Sequence, residues 1–199
     1  MLSETELNEA ERKLYLSYHE DGVLDLIAGL PVLMFGLGMI FDATMLFILT
    51  FLPIALYLPL KQMITLPRMG YVRFTPKRRR KISIGMVALF IAGTLSLIMG
   101  IVAFMGFEGR GLNLRAFMLE YGQLVFGAVM AAPYALISFF FGFRKFAGYA
   151  VLVFAGWLSA FLFAIPDGIP VVLAGALISL IGLVALVRFL ADNSPPGQG

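Results

Sequence analysis

A cluster of titratable residues lies just before the first long apolar segment of the chain. His19 and Glu20 precede Asp21, and Asp25 follows four residues later. On a helix, residues four apart lie on the same face. The spacing therefore predicts a carboxylate pair that binds a cation or a proton, with the imidazole of His19 as a titratable neighbour. Asp25 is the deeper carboxylate, and ionisable groups at membrane depth are functional candidates because their burial is costly.

A structural interpretation of the same residues stays open. Asp21 and Asp25 fall in the first turns of a predicted helix, where the positive end of the helix dipole favours anions. Basic residues after the second apolar segment also offer the two carboxylates partners. The residue types alone do not decide between an ion site and a structural role.

A second group of candidates lies in the basic segment of residues 61–81, which reads KQMITLPRMGYVRFTPKRRRK. Its first part predicts a turn and a short ordered edge that binds an anionic lipid headgroup or a partner protein. Its second part is a juxtamembrane polybasic cluster, in which each charge contributes about 1 kcal/mol near an anionic leaflet. The alternative is that these charges only orient the adjacent helices. The candidate contacts are Arg68, Tyr71, Arg73, Lys77, Arg78, Arg79, Arg80 and Lys81.

The residue types that most enzymes and metal sites require are scarce. The chain has one histidine and no cysteine, so histidine-rich metal sites and Cys–His pairs are excluded. No GxSxG, HExxH, Walker A or GxGxxG pattern occurs,. We therefore expect no catalytic residues, no metal and no cofactor. We also expect no nucleic-acid partner, because the basic residues lie beside apolar segments, where membrane topology explains them.

The elements that position these candidates follow from composition. Hydrophobic residues make up 60% of the 199 residues and charged residues only 14%, whereas soluble domains carry about 25% charged residues. A helix needs roughly 20 apolar residues to cross a bilayer, and six segments approach that length. The sequence predicts an all-α integral membrane protein with a six-span helical bundle. The predicted spans cover about residues 23–41, 43–60, 82–106, 121–142, 146–166 and 169–189.

The segments outside the spans differ in character. Residues 1–21 are rich in glutamate and predict a short amphipathic helix rather than a signal peptide,. Gly22 is expected to mark the bend into the membrane, and Asp42 a tight turn between the first two spans. A basic cytoplasmic loop is expected over residues 61–81 and an outer loop over residues 106–121. The tail at residues 191–199 has the composition of a disordered segment.

The distribution of basic residues predicts the orientation of the spans. Thirteen of the fifteen lysines and arginines fall on one side of the predicted bundle. Because cytoplasmic loops carry the excess of basic residues, both termini are expected in the cytoplasm. The expected location is the cell membrane, of the bacterial inner or plasma membrane type.

Small residues repeat every fourth position within several spans. Such residues let helix backbones approach closely in lipid, which predicts a compact bundle, with a homodimer surface as the alternative. The repeats are Ala88, Ala92, Ser96 and Gly100; Gly127, Ala131 and Ala135; Gly156, Ala160 and Ala164; and Gly175 and Ser179.

Two functional hypotheses follow from these features. The first is a non-catalytic accessory, structural or sensing component that acts through its cytoplasmic loop face, in contact with anionic lipid and a membrane or cytoplasmic protein. It is favoured because polar residues are nearly absent from the spans. The second is a small ion- or solute-coupled transporter or channel with Asp25 near its cytoplasmic mouth. A water-filled path to Asp25 would favour the second hypothesis, and a tightly packed bundle would favour the first.

Overall fold

The computed structural model describes Tyr15 and residues 18–69, 76–106 and 114–193. Every regular element in these ranges is a helix. The helices are α1 (Val23–Phe41), α2 (Thr44–Leu49), α3 (Leu52–Leu60), a π-helical turn (Lys61–Thr65), α4 (Leu66–Met69), α5 (Pro76–Gly106), α6 (Leu114–Phe141), α7 (Arg144–Phe163) and α8 (Gly168–Asp192).

Within the described ranges, five helical stretches are long and apolar enough to cross a bilayer. This supports the predicted all-α, multi-pass membrane class. A further apolar stretch, Ile82–Ser96 of α5, is shorter than these five, so six spans are not established by length and composition. The five stretches are Val23–Phe41, Thr44–Met69, Glu120–Phe141, Arg144–Phe163 and Gly168–Asp192.

The helices form two separate units. The first contains α1 to α4 together with α8 from Val171 onward, and the second contains α5, α6, α7 and the start of α8. The candidate site lies in the first unit.

The second unit has close helix contacts at small residues, of which Gly127 and Ala160 belong to the predicted repeats. A Cβ at Gly127 of α6 would lie 2.6 Å from the Cβ of Trp157 on α7. A Cβ at Gly85 of α5 would lie 2.9 Å from that of Phe140 on α6. Ala160 of α7 is fully buried. Close helix contact at small residues replaces the hydrophobic driving force that lipid does not supply.

In the first unit, α1 and α8 meet backbone to backbone at glycines. A Cβ at Gly29 would lie 2.5 Å from the backbone nitrogen of Ser179, and one at Gly182 would lie 2.5 Å from the backbone nitrogen of Leu26. Gly22 and Gly29 are seven residues apart, as are Gly175 and Gly182. Because the glycines repeat every seven residues, they lie along one line of contact between α1 and α8, which we call the glycine seam.

The second apolar segment departs from its predicted ends. The sequence predicts a span over residues 43–60, followed by a loop from Lys61. The structure instead interrupts the helix at Thr50 and Phe51, places Pro53 in the first turn of the next segment, and continues helically through Met69. The polar residues of this segment favour a loop. Lys61 is nevertheless buried, and it donates a hydrogen bond to the carbonyl of Tyr18, which is distant in the sequence. Residues 61–69 are therefore helical where their composition favours an irregular loop, and their cytoplasmic location stays a prediction.

Two other predicted boundaries lie within the described helices. Residues 114–120, expected in the outer loop, form the first turns of α6. Asp42 ends α1 in a left-handed conformation (φ 49°), as expected of a tight turn,. Most of the predicted N-terminal amphipathic helix and the tail from residue 194 onward lie outside the described residues.

Candidate functional site

The acidic start of α1 is buried. Asp21 is 0% exposed and Asp25 is 1% exposed. Between them, Gly22 adopts a left-handed conformation (φ 76°), and a Cβ there would overlap the backbone of Gly182 and Leu186 on α8. Only glycine fits both this φ value and this contact. The bend predicted at Gly22 therefore presses the chain against α8 and takes Asp21 out of solvent.

Both carboxylate oxygens of Asp21 have partners. The Nζ atom of Lys61 lies 2.8 Å from Oδ2 in an ion pair, and the hydroxyl of Thr65 donates a hydrogen bond to the same oxygen. The backbone N–H of Val23 donates to Oδ1 over 3.2 Å. Lys61 is 4% exposed and Thr65 is fully buried. A buried ion pair is tolerated when further hydrogen bonds satisfy its members, and this pair has them.

Lys61 also contacts Tyr18 in two ways. Its Nζ atom donates a 2.5 Å hydrogen bond to the backbone carbonyl of Tyr18 and lies 4.2 Å from the centre of the Tyr18 ring. The second contact is a cation–π interaction, which strengthens when the ammonium is desolvated. The ammonium thus joins the N-terminal segment, which precedes Asp21, to the second membrane helix, the stretch Thr44–Met69.

The π-helical turn carries both of the side chains that bind Asp21. Lys61 begins the turn and Thr65 ends it. Tyr57 lies one turn earlier on the same membrane-spanning stretch. Single π-turns within α-helices occur frequently at functional sites, so the irregular backbone here coincides with the most polar buried part of the unit.

His19 lies at the edge of this cluster. Its Nδ1 atom is 2.9 Å from the backbone carbonyl of Tyr15. A carbonyl can only accept a hydrogen bond, so Nδ1 carries the hydrogen in this contact. The imidazole packs 4.6 Å from the Tyr15 ring and 5.2 Å from the Tyr18 ring, measured between centroids. His19 is half-buried, and Glu20 beside it is exposed.

The three residues predicted as an ion or proton site have different neighbours. Asp21 binds Lys61 and Thr65, His19 packs against Tyr15 and Tyr18, and Asp25 lies beside Gly182. We call His19, Asp21, Asp25, Lys61 and Thr65 the Asp21–Lys61 centre. Sequence reasoning misses Thr65, and it offers the basic residues after the second apolar segment as partners of the carboxylates without singling out Lys61. The hairpin geometry offers a clue, because residues 21 and 61 are nearly equidistant from the turn at Asp42 and so meet at the same end.

Asp25 lies where the centre meets α8. A Cβ at Gly182 would lie 3.0 Å from the Cβ of Asp25 and 2.9 Å from its carbonyl carbon. The carboxylate of Asp25 is not without a partner in this position. On the side that faces α8, Asp25 is in close contact with the helix at Gly182.

Of the basic residues singled out from the sequence, the structure describes the side chains of Arg68 and Arg80. Arg68 donates from Nε to the backbone carbonyl of Asn193 over 3.0 Å and from Nη1 to that of Ile64 over 2.9 Å. It therefore attaches the end of the second membrane helix to the end of α8. Arg80 is exposed. Tyr71 and Arg73, and the side chains of Lys77, Arg78, Arg79 and Lys81, lie outside the described residues, so their roles stay predictions.

No group of three or more histidine, cysteine, aspartate or glutamate side chains suited to a metal occurs among the described residues. The helices and the Asp21–Lys61 centre define a multi-pass α-helical membrane protein with a buried ion pair between its first two apolar segments. Comparisons with protein-family models, with characterised proteins and with solved structures find no match to this chain.

Proposed function

We propose that the chain is a six-span membrane component with both termini in the cytoplasm and that it acts, without catalysis, through its cytoplasmic face. Six spans follow if α5, which is 31 residues long, crosses the bilayer; at 1.5 Å per residue its length exceeds the hydrocarbon core. The excess of basic residues on one side supports the orientation and a bacterial-type inner or plasma membrane.

The observation that carries this proposal is the satisfaction of Asp21 by Lys61, Thr65 and the backbone of Val23. The ionisable groups of a carrier must exchange their partners for a substrate. Here the carboxylate already has three donors, and the α1–α8 seam is closed at glycine contacts. These features support a structural role for the pair.

The same contacts organise one end of the first unit. Lys61 fastens the N-terminal segment to the second membrane helix, and Arg68 fastens that helix to the end of α8. The ends of three membrane helices are thus fixed relative to one another. A surface held in this way loses little conformational entropy when a partner binds it, which suits a docking platform.

Photo-crosslinking in native membranes tests the proposal. A photoreactive residue at exposed Gln62, beside Lys61 in the first unit, should capture the same neighbouring protein reproducibly, and Arg68→Gln or Arg73→Gln should reduce the yield several-fold. The matched control is exposed Asp42, which lies at the opposite end of α1 and should not capture that neighbour. Recovery of the uncrosslinked protein from all positions, or equal capture from Asp42, would contradict the proposal.

A small cation- or proton-coupled transporter is the second candidate. It is favoured by the π-helical turn at the buried ion pair, because such turns and such charges mark functional sites in membrane proteins. If this candidate is right, purified protein in proteoliposomes conducts cations or protons and Asp25→Asn abolishes the flux, whereas the exposed control Asp42→Asn does not. Flux equal to that of empty liposomes rejects it.

A further inference from the structure

We propose that His19 is a proton-binding site that controls the Asp21–Lys61 ion pair, so that acidification loosens the N-terminal segment from the second membrane helix. The inference depends on the geometry of the centre and not on the identity of any partner or transported ion.

His19 combines access to protons with proximity to the pair. It is half-buried beside exposed Glu20, and its Nδ1 atom donates to the carbonyl of Tyr15, so an added proton would go to Nε2,. The unperturbed pKa of imidazole is about 6.5, which lies in the physiological range. Protonation therefore adds a positive charge at the rim of the centre under mild acidification.

The ring of Tyr18 connects His19 to Lys61. The imidazole packs against it edge-on, and the ammonium of Lys61 lies over it. Imidazolium would compete with the ammonium for the aromatic ring and, two residues from Asp21, for the carboxylate. Two cations that contact the same aromatic ring also repel each other, most strongly where water is excluded. Each effect weakens the contacts of Lys61 when His19 is protonated.

Within the described residues, the other charged and titratable groups in and beside the centre come from three elements. The N-terminal segment contributes Tyr15, Tyr18 and Glu20, and α1 and the bend before it contribute Asp21 and Asp25. The second membrane helix contributes Tyr57 and Lys61. The part of α8 that meets Gly22 contains the uncharged residues Gly182 and Leu186, and its described charged residues Arg188 and Asp192 are exposed. Among these side-chain types, imidazole is the one that ordinarily titrates between pH 5 and 8.

The first measurement is the titration of His19 by NMR of histidine-labelled protein in nanodiscs. The chain has one histidine, so the spectrum reports His19 alone. Asp21→Asn should lower the midpoint and Lys61→Met should raise it, each by about half a pH unit or more, because they remove opposite charges. Glu20→Gln is the control for an exposed carboxylate and should have a smaller effect. Equal midpoints in wild type, Asp21→Asn and Lys61→Met would overturn the coupling.

The second measurement is hydrogen exchange of residues 57–69, expressed as protection factors at pH 7.5 and pH 5.5. We expect protection to fall about tenfold at the lower pH in the wild type and to be independent of pH in His19→Gln and in His19→Asn. Asp21→Asn should show low protection at both values. A fall that persists in both His19 variants, or protection unchanged in the wild type, would overturn the proposal. Neither measurement requires a partner, so its failure is distinguishable from failure of the crosslinking experiment.

Discussion

Replacing Lys61 with methionine should destabilise the protein by about 3–5 kcal/mol, because removal of one member of a buried ion pair leaves the other charge buried without compensation. Asp21 is 0% exposed, and in the variant it would keep only the hydroxyl of Thr65 and the backbone N–H of Val23. Methionine fills a similar volume, so the cost arises from charge rather than from a cavity. Unfolding in bicelles or in a detergent titration measures it.

The double variant Asp21→Asn/Lys61→Met separates an ion pair from general disruption. Removing both charges also removes the uncompensated one, so the double variant should be markedly more stable than Lys61→Met alone. Arg80→Met is the matched control, because it removes an exposed positive charge and should change stability by less than about 0.5 kcal/mol. A loss below about 1 kcal/mol for Lys61→Met, or additive losses in the double variant, would contradict this account.

The second large effect is expected at the glycine seam between α1 and α8. A Cβ at Gly175 would lie 2.6 Å from the Cα atom of Leu33 and 2.9 Å from the carbonyl carbon of Val32. These are backbone atoms, so no side chain can rotate away and the helices must separate. Gly175→Ala should destabilise the protein by about 1–3 kcal/mol, the usual cost of overpacking, and Gly175→Val by more.

The matched control for Gly175 is a helical glycine with open space around it. Gly148 of α7 is exposed, and a Cβ added there would meet no other described element within 4 Å. Gly148→Ala should stabilise its helix by about 0.5–1 kcal/mol. The two alanine substitutions are therefore expected to have opposite signs in the same unfolding assay. Equal effects at the two positions would show that the seam does not limit stability.

Several features of the fold can be predicted from the sequence. The apolar pattern predicts the first helix over residues 23–41, and the structure has it as Val23–Phe41. The isolated Asp42 predicts a tight turn, and its left-handed backbone ends that helix. These predictions succeed because a long charge-free segment must satisfy its backbone internally in lipid, which leaves a helix as its structure. Local composition is sufficient for such elements.

The end of the second membrane helix cannot be predicted in the same way. Lys61, Gln62, Thr65 and Pro67 make residues 61–69 polar enough to favour a loop. The segment is helical because Asp21 and Tyr18, more than 40 residues away, satisfy Lys61 and Thr65. The seven-residue glycine period is also visible in α1 and in α8, but nothing in the sequence pairs these two helices.

The sequence by itself determined the membrane class of this protein, since that class follows from polarity. Its prediction that Asp21 and Asp25 share one helical face is wrong, because α1 begins at Val23 after the left-handed Gly22 and only Asp25 lies in its first turn. Tertiary structure decided that Lys61 neutralises Asp21 and that Thr65 and the backbone of Val23 donate hydrogen bonds to it. It also decided that α8 packs against Gly22. Those outcomes depend on the closure of the hairpin and on a backbone approach that only glycine permits. Contacts of this kind join residues far apart in the chain, and local spacing carries no information about them.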